Sequence, residues 1–201
     1  MSKTRKHVLP VLISAAIMTP SYLAYAETTG TKGEKVVEKD DTTVTTTDII
    51  NRLKGDGLDI SNVSFTGQNA QVGVFEGFKF LLDPNGSENF DSGIIISTGN
   101  VEDAVSITGT NSVDNKSTNF GSSTTANGNL VAGFDQAVLS FDVVPTFDTL
   151  ILDFAFGSDE YNEFVNSGFN DKLQILVDGV NCAKTPDNQI FSIDTVNRAG
   201  E

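Results

Sequence analysis

The chain has 201 residues, 27 of them acidic and 13 basic, with one histidine, one cysteine and no tryptophan. Its formal charge of −14 sets nucleic acid aside as a partner, because an acidic surface repels a phosphate backbone and favours divalent cations. Imidazole and thiol chemistry therefore depends on where His7 and Cys182 fall.

The N-terminus carries Lys3, Arg5 and Lys6, then an apolar run from Val8 to Met18, then Ala24-Tyr25-Ala26. A positive start, a short apolar core and small residues at the cleavage positions describe a secretory leader, residues 1–26. The run is about half the roughly 20 apolar residues that a spanning helix needs, and Pro10 and Pro20 interrupt or bound it. His7 lies inside this leader, so the chain after Ala26 has no imidazole. That excludes Ser-His-Asp and Cys-His catalysis and His-ligated zinc or haem. Beyond Ala26, 27 acidic residues face 10 basic ones, a formal charge of −17. Cys182 has no intrachain disulfide partner and is expected as a small packed residue, not a nucleophile. No later segment approaches a membrane span. About 175 residues remain, enough for one domain with its own core.

Residues 27–47 are rich in Thr, Lys, Glu and Asp with little to bury, and read as a disordered polar linker ahead of a domain over 48–201. Asp48 is the expected N-cap of a short helix, with Ile49, Ile50 and Leu53 on one face and Gly55 or Gly57 ending it. From there the pattern turns to period two or short apolar runs. Val63 and Phe65 alternate with polar residues; Val72 to Phe75 and Phe78 to Leu82 follow, the latter ahead of an Asp83-Pro84-Asn85-Gly86 turn. Gly93 to Thr98, with Ile94, Ile95 and Ile96, reads as a fully buried central strand. Leu139, Phe141 and Val143 face one way along 138–144. After the break at Pro145, Leu150, Leu152, Phe154 and Phe156 repeat the alternation. Leu173, Ile175 and Val177 do so before an Asp178-Gly179 turn, and Ile190 to Val196 supplies a last strand. Short strands between Gly, Asn, Asp and Pro turns predict a mostly β single domain, an antiparallel β-sandwich or jelly roll. Residues 108–129 read as a long exposed loop. Residues 157–171 form a second loop, dense in carboxylates, amides, glycines and aromatics.

Several of these segments resemble the choice-of-anchor L domain. They are Asn62-Val63-Ser64-Phe65-Thr66-Gly67, Gly93-Ile94-Ile95-Ile96-Ser97-Thr98-Gly99-Asn100, Leu139-Ser140-Phe141-Asp142 and above all Phe154 through Asp171. Asp178-Gly179-Val180-Asn181 and Ser192-Ile193-Asp194-Thr195-Val196-Asn197 complete the set, over roughly 50–197. The resemblance implies a bacterial extracellular β-rich domain found joined to different surface-anchoring tails. It implies no reaction. The chain departs from that pattern by ending at Arg198-Ala199-Gly200-Glu201, directly after the last motif strand and without a sorting tail, as a domain cut short at its C-terminus would.

The oxygen-rich loop suggests a metal site formed by Asp159, Glu160, Asn162, Glu163, Asn170 and Asp171, joined by Asp153. Ca²⁺ takes six to eight oxygen ligands from carboxylates, amides and carbonyls, and a cation offsets the repulsion of gathered carboxylates. The spacing matches neither the EF-hand nor the nonapeptide calcium repeat. The bland alternative has Glu160, Tyr161 and Asn162 capping turns and the remaining acids facing solvent. An enzyme without histidine leaves carboxylates for acid–base work, as in a glycoside hydrolase using two of Asp153, Asp159, Glu160 and Glu163. Absent tryptophan and a single tyrosine beyond the leader weigh against a sugar-cleaving site. The residues favour a secreted or cell-surface binding or structural module, adhesive toward an extracellular protein or glycan, with polar loops on a rigid β scaffold.

Overall fold

A computed structural model describes residues 7–12, 35–38, 44–79, 89–101, 120, 133–158 and 164–197. Its strands are β1 (His7–Leu12), β2 (Lys35–Glu38), β3 (Leu58–Thr66), β4 (Val72–Lys79), β5 (Asn89–Ile96), β6 (Val138–Pro145), β7 (Lys172–Val177), β8 (Val180–Asn181) and β9 (Phe191–Ser192). One helix, α1 (Thr46–Leu53), precedes β3. A six-stranded sheet runs β3-β6-β1-β7-β8 with β9 also on β7, and a three-stranded sheet runs β2-β4-β5. Every registered pair is antiparallel. The mostly β, antiparallel single-domain expectation is met.

One core joins the two sheets. Val72 and Ile96 from the smaller sheet meet Leu139, Phe141, Leu173 and Ile175 from the larger one, with Ile49 of α1 against them. Val138 and Leu176 form a second buried cluster. Strands β6 and β7 thus bury residues of both parities, as inner strands do.

The local chemistry explains most boundaries. Thr45, not Asp48, is the N-cap of α1. The Thr45 backbone N–H and hydroxyl both donate to the Asp48 carboxylate, at 2.7 and 2.6 Å, and the Asp48 N–H donates back to the hydroxyl at 3.3 Å. This reciprocal box moves the start three residues earlier than expected, since Asp48 serves as its third helical residue. The Thr45 hydroxyl also holds the Asp48 carboxyl below its ordinary range.

In β3 the register against β6 slips between Ser61 and Ser64. Asn62 takes a positive φ of 52° there, and its amide donates to the Asp142 carboxylate at 2.5 Å. The extra residue resets the alternation, so Leu58, Ile60, Val63 and Phe65 all pack toward the core. Strand β4 runs from Val72 through Lys79 as one element, joining the first expected segment to the start of the second, whose Phe80 to Leu82 lie outside the described residues. At Gly93, opposite Phe75 in the β4–β5 ladder, an added Cβ would stand 2.8 Å from the Phe75 ring. The glycine lets the aromatic lie flat over the backbone.

The structure departs from the sequence expectation at several places. The Ile94–Ile96 run is buried at its end, yet β5 is an edge strand, paired among the described residues with β4 alone. Helix α1 packs against it. Residues 150–156 form no strand. Of 190–196, only Phe191–Ser192 is strand. The Thr195 hydroxyl donates to the Ile190 carbonyl at 2.6 Å and accepts the Ser192 N–H at 3.0 Å, folding the rest into a turn. Cys182 is exposed, not packed, because alternation after β8 turns Ala183 inward instead. Lys35–Glu38, within the expected linker, forms β2 against β4. His7–Leu12, within the expected leader, forms β1 between β6 and β7. The expected turn at 83–86 and, apart from Phe120, the expected loop 108–129 lie outside the described residues.

Leu139 has no exposed surface and sits in the shared core. Leu139→Ala is expected to cost about 3 kcal/mol of unfolding free energy, transfer and cavity terms together. Val180→Ala, at a 66 % exposed site, is expected to stay within about 0.5 kcal/mol. Urea midpoints at constant slope check both.

Candidate functional site

The loop 157–171 leaves the end of the 150–156 segment and returns into β7. At its base the buried Ser158 hydroxyl donates to the Asp171 carboxylate at 2.6 Å. Burial pushes the Asp171 carboxyl above the ordinary aspartate range, and the Ser158 bond offsets only part of this. The Asp171 carbonyl then accepts the Ile193 N–H at 3.2 Å.

A second anchor comes from the turn after β9. The Asp194 carboxylate accepts the Asn166 N–H at 2.7 Å, and the Asp194 N–H donates to the Asn170 side chain at 3.4 Å. Asn166 and Gly168 hold positive φ angles of 59° and 96°, so the backbone reverses sharply between them. The Ser167 hydroxyl donates to the Phe164 carbonyl at 2.5 Å. Phe164 and Phe169 meet edge to face, ring centroids 5.4 Å apart, leaving Phe169 62 % exposed.

Of the seven oxygen-bearing residues singled out as metal ligands, Asp153, Asn170 and Asp171 are described; Asp159, Glu160, Asn162 and Glu163 lie outside the described residues. Asn170 and Asp171 come together at the loop base, each engaged in the anchoring just given. Asp153 is exposed on the approach to the loop. Among the described residues no group of three or more His, Cys, Asp or Glu side chains is gathered as metal ligands would be. Of the four carboxylates weighed for glycoside hydrolysis, Asp153 alone is described.

Sequence reasoning had not singled out Ser158, Asp194 or Thr195 as loop anchors, nor Gln71. Gln71 is buried, and its amide donates to the carbonyls of Thr98 at 3.1 Å and Asp135 at 2.7 Å while its oxygen accepts the Gln68 N–H at 2.8 Å. Gln71 and Ser158 are buried, and burial obliges a polar side chain to find a hydrogen-bond partner.

The residues that pin this loop are those of the motif blocks, and the Choice-of-anchor L domain matches the chain over residues 36–200. The chain belongs to the choice-of-anchor L family. Membership makes it a surface-associated bacterial module. Comparison with curated proteins and with solved structures finds no match. No helix among the described residues is long and apolar enough to cross a membrane. The choice-of-anchor L match begins at Val36, inside β2.

The raised Asp171 value fixes a sign for pH dependence. A carboxyl that titrates higher when folded binds more protons in the folded state, so its contribution is full in acid and is lost as pH rises through the folded value. Asp171→Asn keeps an oxygen for Ser158 and removes the titration. In EDTA, the variant is expected to match wild type near pH 3 and to become relatively more stable toward pH 7. Urea midpoints at the two pH values check this; a gap that closes as pH rises contradicts it.

Proposed function

We propose that this choice-of-anchor L chain is exported by a leader ending at Ala26 and works outside the cell as a non-enzymatic binding or structural module, with 157–171 as its contact loop. The observation that supports this reading is mechanical. The loop base is tied by Ser158 to Asp171 and by Asp194 to Asn166, while Phe169 stands exposed beside it. A rigid scaffold carrying an exposed aromatic among amides and hydroxyls suits recognition of an extracellular protein or glycan, because little ordering entropy is lost on contact. No imidazole remains beyond Ala26, which narrows any acid–base chemistry to carboxylates.

The test is retention on immobilised envelope glycans and extracellular matrix proteins. Wild type is expected to be retained, and Phe169→Ala to weaken binding by at least ~10-fold, the ~1.4 kcal/mol scale of a modest aromatic anchor. Absence of retention on every surface, with the protein folded, leaves an architectural role only.

The finer reading is that Ca²⁺ orders the loop through Asp159, Glu160, Asn162 and Glu163 together with Asp153, Asn170 and Asp171. Asp171 supports it, since a carboxylate held in a buried place gains from a nearby cation. At Ca²⁺ tenfold above Kd the linkage is worth about 1.4 kcal/mol, a rise in Tm of ~3–5 °C over EDTA. Superimposable melts in EDTA and in millimolar Ca²⁺ exclude the cation.

A further inference from the structure

Residues 150–156 carry a strand's sequence and have no strand. Leu150, Leu152, Phe154 and Phe156 alternate with Ile151, Asp153 and Ala155, yet Ile151 is 77 % exposed and Leu150 and Leu152 are more than a third exposed. Only Phe154 and Phe156 pack against the core. The nearest place for such a strand is beside β6, on the side away from β3, and β1 fills that place.

The register shows that one strand can replace the other. A hairpin that leaves Pro145 opposite Leu150, with 146–149 as its loop, sets Leu152 opposite Val143, Phe154 opposite Phe141 and Phe156 opposite Leu139. Those three β6 residues are the partners that His7, Leu9 and Val11 of β1 now hold. Both strands run antiparallel to β6, so the chain direction is also the same. Val11 and Leu12 of β1 face Ile175 and Gln174 of β7; the exchange gives these partners to Phe156 and Gly157. Ser158, the next residue, is already tied to Asp171 at the entry to β7.

We infer that when residues 1–26 are removed, residues 150–156 move into the slot between β6 and β7 and complete the sheet as the strand that follows β6. The inference rests on the reading of 1–26 as a leader. Strand β1 is a poor permanent occupant. Pro10, opposite Ser140, has no N–H to give to the ladder of an inner strand, whereas Ala155 at the same register has one. An emptied slot would leave β6 and β7 with unpaired inner backbone groups, which the hairpin satisfies. The exchange buries Leu152 and sets Asp153 opposite Asp142, a like-charge pair on the other face of the strand that opposes it. Several ladder bonds and the apolar side chains outweigh that single pair. The precursor is thereby held in a form in which part of the mature sheet is displaced.

The full chain, purified with residues 1–26 retained, is cut after Ala26 by signal peptidase, and amide hydrogen exchange is followed over 150–157. Cutting is expected to release the 1–26 peptide and to slow exchange at 152–156 by at least ~10-fold, with the protein monomeric. Leu152→Asp is expected to lower the Tm of the cut protein and leave the uncut protein unchanged. Unaltered exchange after release, a 1–26 peptide that stays bound, or protection that appears only with dimerisation overturns the inference. Intact mass of exported protein still carrying residues 1–26 overturns the leader reading alone. In that case, or if the peptidase does not cut, Leu9→Pro in the full chain empties the slot, and the same protection must then appear.

Discussion

Strand β6 is the hinge of the whole molecule's architecture, because its backbone has two sides to satisfy and its side chains have two faces to cover. Strand β3 pairs one side through a bulged ladder, and β1 pairs the other and bridges to β7. Leu139, Phe141 and Val143 close the core on one face while Val138 meets Leu176 in the second cluster. Buried backbone groups tolerate almost no vacancy, so some segment has to lie between β6 and β7. That requirement connects the fold to export: the occupant found there lies in the stretch with the composition of a leader, and a second segment with matching register waits directly after β6.

The loop 157–171 depends on the same sheet. Its return into β7 starts from Asp171, and its two anchors, Ser158 and Asp194, precede and follow the strands at its base. Moving 150–156 into the sheet would lead directly into Ser158, so completion of the sheet and fixing of the loop base are neighbouring events along one stretch of chain. A half-buried carboxylate at that junction is unfavourable by desolvation. It is retained here with the Ser158 hydroxyl on its oxygen.

Family membership narrows where the protein works without naming what it touches. The longest motif block of the choice-of-anchor L resemblance falls on 154–171, and that block is at once strand sequence and loop base. Its residues do distinct physical tasks. Ser158 and Asp171 close the base, Asn166 and Gly168 turn the backbone, and Phe164 supports Phe169.

The amino-acid order alone determined the class of fold. Period-two runs at 138–144 and 172–177 and the Asp178-Gly179 turn are local signals, and each appears as an element, with Asp178 and Gly179 both at positive φ. The single His within 1–26 is likewise a fact of composition. Tertiary structure decided what local signals cannot carry. Which of two segments of matching register pairs with β6 depends on competition for one slot, and the triple isoleucine pairs, among the described residues, with β4 alone while helix α1 lies against it. Ser158, Gln71 and Asp194 acquired their roles only when distant backbone came within hydrogen-bond reach. Pairing partners and burial are properties of the folded whole, set by contacts between residues far apart in the chain, and a short window of sequence contains neither.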